Sequence, residues 1–228
     1  MPSKTIADLY QEISLVLSEA GIENSDLDAR FMLEDLLTIS ASQFMLMQQE
    51  IINDQTQLST LYNWVERRKK EEPLAYITGN ISFCSHEYQI EQGVLIPRPE
   101  TELLVHYTQE LMRSYPNYDV LECGFGSGVI SIELALSDPN RRIQAWDISD
   151  TACSLAKRNA QIHNVKSVTW NRGDFFTGIQ QLDFSEPYIF VSNPPYISEH
   201  AYVSLDKSVK DYEPKLALVA KKNGLYFY

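Results

Sequence analysis

Between Asp119 and Ser192 the hydrophobic pattern alternates between period two and period 3.6 at short, regular intervals, and few architectures accept that rhythm. Apolar runs at Asp119–Glu122, Ile143–Asp147, Ser167–Arg172 and Tyr188–Ser192 read as strands. The stretches Val129–Leu136 and Thr151–His163 between them read as helices. A strand, a crossover helix and a second strand make a βαβ unit. Its repetition predicts an α/β domain with a mostly parallel sheet and helices on both faces.

The chain ahead of this region shows only the helical period. Ile6, Leu9, Ile13, Val16 and Ala20 recur at spacings of three and four, and Gly21 stands where that helix would stop. A second helix is expected to open on Ser25-Asp-Leu-Asp28, a capping-box pattern with Asp in place of Glu, and to carry Leu27, Phe31, Leu33, Leu36 and Leu37. A third begins near Ser40 or Ser42, and a fourth holds Leu58, Leu61, Tyr62 and Val65 ahead of the basic run Arg67–Lys70. That run complements a helix C-terminus and is expected to be a solvated helix end; a contact with nucleic acid or ribosome is the open alternative. After Pro73 the period shortens, and Ile81–Ile90 followed by Val94–Ile96, with Gln92-Gly93 between them, predicts a short β-hairpin. The 228 residues thus divide into a helical domain over 1–72, a hairpin linker over 73–97 and an α/β domain over 98–228.

Nineteen Lys and Arg stand against 31 Asp and Glu, a net charge of −12, and residues 1–72 alone hold 13 acids and 6 bases. Such a surface repels a phosphate backbone, so direct nucleic-acid binding is not expected and a basic partner is favoured. Cys84, Cys123 and Cys153 are odd in number and far apart, which fits reduced thiols in the cytoplasm. Neither they nor the four histidines show metal-ligand spacing, and no stretch approaches the ~20 apolar residues of a membrane span. A soluble cytoplasmic protein without a metal is expected.

The first strand of the α/β region runs into Gly124-Phe125-Gly126-Ser127-Gly128 and then directly into a helix. Glycines at such a turn allow positive φ and let the backbone approach a ligand closely. The spacing is G-x-G-x-G, unlike the G-x-G-x-x-G of dinucleotide folds, and the Lys-Ser/Thr of a phosphate loop is missing. Nineteen residues after Gly128, Asp147 ends the second strand, where a carboxylate can take both hydroxyls of a ribose. Asp174 and Phe175 follow the third strand and bring an acid and a ring to the same crevice. Three strand ends therefore agree on an adenosine-containing ligand.

The fourth strand ends in Asn193-Pro194-Pro195-Tyr196, the most specific signal in the chain. A residue before proline is pushed to extended backbone, and two fixed φ angles help hold the Pro194 carbonyl in one direction. The Asn193 side-chain oxygen and the Pro194 carbonyl are then two fixed acceptors, suited to the two in-plane hydrogens of an NH₂ on an sp² carbon, with the Tyr196 ring packing on the plane.

On these residues the chain resembles a class I S-adenosylmethionine-dependent methyltransferase acting on a planar NH₂ group. Glu72-Pro-Leu-Ala-Tyr-Ile-Thr-Gly79, Leu95-Ile-Pro-Arg-Pro-Glu-Thr-Glu102, Ala145-x-Asp147-Ile-Ser149 and Arg158-Asn-Ala160 narrow the resemblance to the PrmC/HemK family, the peptide-chain release factor glutamine N5-methyltransferases. The resemblance covers roughly residues 5–228. It implies a Rossmann-like methyltransferase domain behind a small helical-bundle domain that recognises the substrate. It further implies methyl transfer from S-adenosylmethionine to the glutamine of the Gly-Gly-Gln motif in release factors. Matching positions imply a cofactor site at Gly124, Phe125, Gly126, Ser127, Gly128, Asp147, Asp174, Phe175 and Asn193. The catalytic residues implied are Asn193, Pro194 and Tyr196, and the substrate-binding residues are these three with Pro195, with Arg98–Glu102 over the site.

The chain departs from the family pattern in places. Glu122 and Phe125 stand where the family more often has Asp and Thr, so Phe125 puts a bulky ring in the cofactor loop. Family members also continue past the segment matching Gly224–Tyr228, which implies an incomplete domain here, with about four of seven strands and an unpaired edge on the fourth. Two rival readings accompany the first. One is an adenine-N6 methyltransferase, which uses a similar loop on a flipped base; the other is a cofactor- or release-factor-binding protein without catalysis.

Overall fold

The computed structural model describes residues 4–227. The chain divides into two compact units, Met1–Thr78 and Gly79–Tyr228.

The first unit is helical, with α1 (Ile6–Glu19), α2 (Ser25–Leu37), α3 (Ala41–Leu46), α4 (Gln55–Arg68) and α5 (Leu74–Thr78). A two-residue antiparallel pair, β1 (Lys4–Thr5) with β2 (Ile51–Ile52), ties its start to the approach to α4. Ile6, Leu9, Ile13 and Leu17 on α1 bury one stripe against Ala29, Met32, Leu33, Leu61 and Val65. The capping box expected at Ser25 and Asp28 does not form. Helix α2 begins at Ser25 behind Asn24, which makes no side-chain cap, and the Asp28 carboxylate instead accepts from Arg68 Nε at 2.7 Å. True capping boxes stand at Thr5 with Asp8 and at Ser40 with Gln43. The basic run is a solvated end only in part: Lys69 and Lys70 are exposed, whereas Arg67 and Arg68 are engaged by other segments. Arg67 donates to both Glu72 carboxylate oxygens, at 2.9 and 2.6 Å, and to the Tyr76 and Ile77 carbonyls, so it clasps the chain turning into α5.

The second unit opens with an antiparallel hairpin, β3 (Asn80–Phe83) and β4 (His86–Gln89). Its turn lies at Cys84-Ser85, not at Gln92-Gly93. Both turn residues have positive φ, the twist a two-residue hairpin loop demands, and the Cys84 N–H is held by Glu102 Oε1 at 3.0 Å. Helix α6 (Pro99–Ser114) follows, then β5 (Asp119–Cys123), α7 (Val129–Ser137), β6 (Ile143–Asp147), α8 (Asp150–Ile162), β7 (Val168–Arg172), α9 (Phe175–Gly178) and β8 (Tyr188–Ser192). Short helices α10 (Glu199–Tyr202), α11 (Lys207–Lys210) and α12 (Lys215–Leu218) follow.

The four strands β5 to β8 are all parallel and lie in the order β7, β6, β5, β8. Among the described residues β8 pairs with β5 alone. Alternation along the strands sends Val120, Ile143, Ile189 and Val191 into the core beneath α6, α7 and α8. Leu121, Cys123 and Trp146 face the other side and pack with Phe175, Ile179 and Leu182.

Candidate active site

Strand order fixes where a ligand can sit. The chain runs from β5 outward through β6 to β7 and then returns to the other side of β5 as β8, so β5 and β8 flank the switch point of the sheet. In open α/β sheets ligands bind at the carboxyl ends of strands at such a point. Cys123 and Ser192 are register partners, and Ser192 Oγ donates to the Cys123 carbonyl at 2.7 Å. The glycine loop at Gly124 and the Asn193 loop therefore leave neighbouring strands at the same level.

The glycine loop turns with φ of 75° at Gly124 and 84° at Gly128, a region that strains any residue with a Cβ. At Gly128 space also forbids a side chain, since a Cβ there would sit 2.9 Å from the Ala156 Cβ and 3.0 Å from the Trp170 ring. At Gly124 the opposite holds. No atom lies within 4 Å of where its Cβ would be, which leaves open ground above the turn. The Phe125 ring is buried against Trp170, centroids 4.9 Å apart and edge to face. Ser127 is buried, and its carbonyl accepts from Asn159.

Asp147 reaches across to this loop from the end of β6. Its Oδ2 accepts the Gly126 N–H and its Oδ1 the Ser149 N–H, both at 2.9 Å. Burial raises the Asp147 carboxyl above the usual carboxylate range, while backbone N–H groups of Ser149, Gly126 and Ile148 pull it back. Each carboxylate oxygen has a second lone pair for a ribose hydroxyl. Phe175 packs edge to face on Trp146 at 5.6 Å, and both rings line the same cavity as Asp147, Gly124, Gly126 and Asn193. Asp174 also lines it, although its Oδ1 caps α9 by accepting the Thr177 N–H at 2.8 Å.

Of the second loop, Asn193, Pro194 and Pro195 line the cavity. Tyr196 is 61% exposed and is not among the lining residues. Asn193 Nδ2 donates to Thr101 Oγ1 at 3.2 Å. Val94 and Pro97 add apolar wall, and so do Pro214, Leu216 and Ala217. Arg98 and the Ile96 N–H both bind the buried Glu213 carboxylate, which ties that last segment to the wall. Reasoning from sequence missed Trp146, Glu213 and Asn159. Nothing in their spacing marks Trp146 or Glu213, whereas Asn159 stands in the quoted Arg158-Asn-Ala160.

Beneath the loop, Glu122 is 0% exposed, and the Ser131 hydroxyl donates to its Oε2. Its Oε1 has no hydrogen-bond partner among the described residues, and burial pushes the carboxyl up to about 7. The site as built offers a glycine turn with room above it, a buried carboxylate, an aromatic wall and, lining the same cavity, Asn193 and Pro194. These parts fit an adenosine-containing ligand beside a planar NH₂ group.

Residues 8–79 match the PrmC N-terminal domain, and residues 99–210 match the methyltransferase small domain. The chain is similar to the release factor glutamine methyltransferase of Fusobacterium nucleatum, 34% identical over 221 residues that cover 97% of this chain and 62% of that protein. The enzyme of the same name from Bacteroides thetaiotaomicron is 37% identical over 198 residues, covering 85% of this chain and 68% of that one. For the Geobacter sulfurreducens enzyme the figures are 35% over 213 residues, 93% and 72%. The chain spans about two thirds of the length of these relatives.

Proposed function

The chain belongs to the release factor glutamine methyltransferase family, and on that footing we propose that it transfers a methyl group from S-adenosylmethionine to the side-chain nitrogen of the glutamine in the Gly-Gly-Gln motif of peptide-chain release factors. The observation that carries the reading is the adjacency of the glycine loop and the Asn193 loop at one switch point, with Asp147 and Phe175 lining the cavity between strand ends. S-adenosylmethionine supplies an electrophilic methyl on its sulfonium. Gly124–Gly128 lets the backbone close on the nucleoside, Asp147 takes the ribose hydroxyls, and Phe175 and Asp174 bound the adenine.

An amide nitrogen is a poor nucleophile because its lone pair is delocalised into the carbonyl. The Asn193 Oδ1 and the Pro194 carbonyl accept its two hydrogens and turn the lone pair toward the methyl, while Pro195 bounds the substrate side and the exposed Tyr196 ring is left outside the cavity to meet the incoming substrate. Alignment of this kind lowers a barrier by on the order of 7 kcal/mol or more. No side-chain base is assigned, because the methylated amide loses its proton readily.

The first unit recognises the release factor. A net charge of −12 favours a protein with a basic surface over a phosphate backbone, and the activity belongs in the cytoplasm, in translation termination. The test is transfer of labelled methyl from S-adenosylmethionine. Label should enter a purified release factor and not one whose motif glutamine is replaced by asparagine. Label entering DNA or RNA instead would overturn the reading.

A further inference from the structure

We propose that Thr101 is a positioning residue that anchors the side-chain amide of Asn193 at the reacting end of the cavity. The proposal rests on the role given above to Asn193. An asparagine side chain turns about two bonds, so without an anchor it occupies several rotamers and holds its oxygen in no fixed place. The site would then lose one of its two positioned acceptors.

Thr101 supplies the anchor. It lies in the first turn of α6, is 7% exposed, lines the cavity, and its Oγ1 stands 3.2 Å from Asn193 Nδ2. Among the described residues Asn193 Oδ1 accepts no hydrogen bond, so the oxygen is the end left for a ligand. The hydroxyl is held in place by the helix that carries it. On either side of it Arg98 pairs with Glu213, and Glu102 accepts the Cys84 N–H. Three polar side chains of the Leu95–Glu102 segment thus have separate tasks, and only Thr101 turns to the reacting end of the cavity.

The experiment compares the whole chain with Thr101→Val and Thr101→Ser, using a release factor as methyl acceptor and S-adenosylhomocysteine as binding probe. Valine keeps the shape and removes the hydroxyl; serine keeps the hydroxyl. Thr101→Val should lower kcat by about tenfold to a hundredfold, the range for losing a residue that orients an active-site group, with the affinity for S-adenosylhomocysteine unchanged. Thr101→Ser should restore kcat to near the parent value. Parent-like turnover in Thr101→Val overturns the proposal, and so does an equal loss in both variants together with weakened probe binding, which marks a merely structural role.

A second measurement stands apart from turnover. In the free chain, solvent exchange of the Asn193 side-chain N–H protons by NMR should quicken in Thr101→Val and not in Thr101→Ser. If the parent transfers no methyl, the reading of the function fails. The exchange rates then decide the Thr101 contact by themselves: unchanged exchange in Thr101→Val overturns it, and faster exchange upholds it.

Discussion

Asp147 meets two demands that pull its carboxyl in opposite directions. Burial favours the protonated form, whereas the N–H groups of Gly126 and Ser149 and an incoming ribose require the ionised one. Asp147→Ala should weaken binding of S-adenosylhomocysteine by about 1–3 kcal/mol, the cost of a lost charged hydrogen bond, as read by calorimetry. The parent's affinity should fall as pH drops through the raised Asp147 pKa, and the alanine variant should lack that dependence. Through Glu122, stability responds to pH in the direction opposite to that affinity. Its folded pKa of about 7 lies above the ordinary 4.5, so across that interval the native state keeps a proton that the unfolded chain has released. Stability contributed by this group is therefore full below the lower value and falls as pH rises toward the upper, by about 3 kcal/mol in all. Urea titrations at pH 5 and pH 8 should show that decline in the parent and a much flatter response in Glu122→Gln. Equal slopes for both proteins would mean that Glu122 is not the titrating group.

At the scale of elements, the glycine loop is held not only by Asp147 but also by a side chain that does not itself line the cavity. Asn159 on α8 is 0% exposed and makes three hydrogen bonds of 2.9–3.0 Å: both backbone groups of Gln89 at the end of the hairpin, and the Ser127 carbonyl in the glycine loop. Asn159→Ala leaves all three backbone groups unpaired and should cost about 3 kcal/mol or more of stability in a urea titration. A loss near zero would show that water replaces the amide. The βαβ rhythm was legible in the sequence because strand and helix periods are local properties, and β6 and β8 fall where the alternation puts them. Helix α6 was not read, because Pro99-Glu-Thr-Glu102 looks like a loop signature until Pro99 is recognised as sitting in the first turn of a helix. The hairpin turn was misplaced for a related reason. Gln92-Gly93 has turn chemistry, but register put the reversal at Cys84-Ser85, where Glu102 from α6 supports it. Side chains paired across long stretches of sequence, such as Asp28 with Arg68 or Asn193 with Thr101, leave no mark in spacing at all.

At the scale of the whole molecule, the chain separates chemistry from charge. Among the described residues, those that line the cavity all lie between Gly93 and Phe227, in the second unit. The described residues up to Thr78 contribute none of that lining, while residues 1–78 carry 13 acids against 6 bases, more than half of the net −12. They also have a core of their own, built from Ile6, Leu9, Ile13, Leu17, Met32, Leu33 and Leu61, each of them 0–1% exposed. A unit with its own core and a one-sided charge is suited to holding a basic protein partner, and attraction of that kind weakens as salt rises. A chain beginning at Gly79 should therefore bind S-adenosylhomocysteine as the full chain does while losing affinity for a release factor, and the full chain's affinity for the release factor should fall from low to physiological salt. Calorimetry on both chains at two ionic strengths checks this. Equal release-factor affinity with and without residues 1–78 would assign recognition to the second unit and leave the acidic surface of the first without that role.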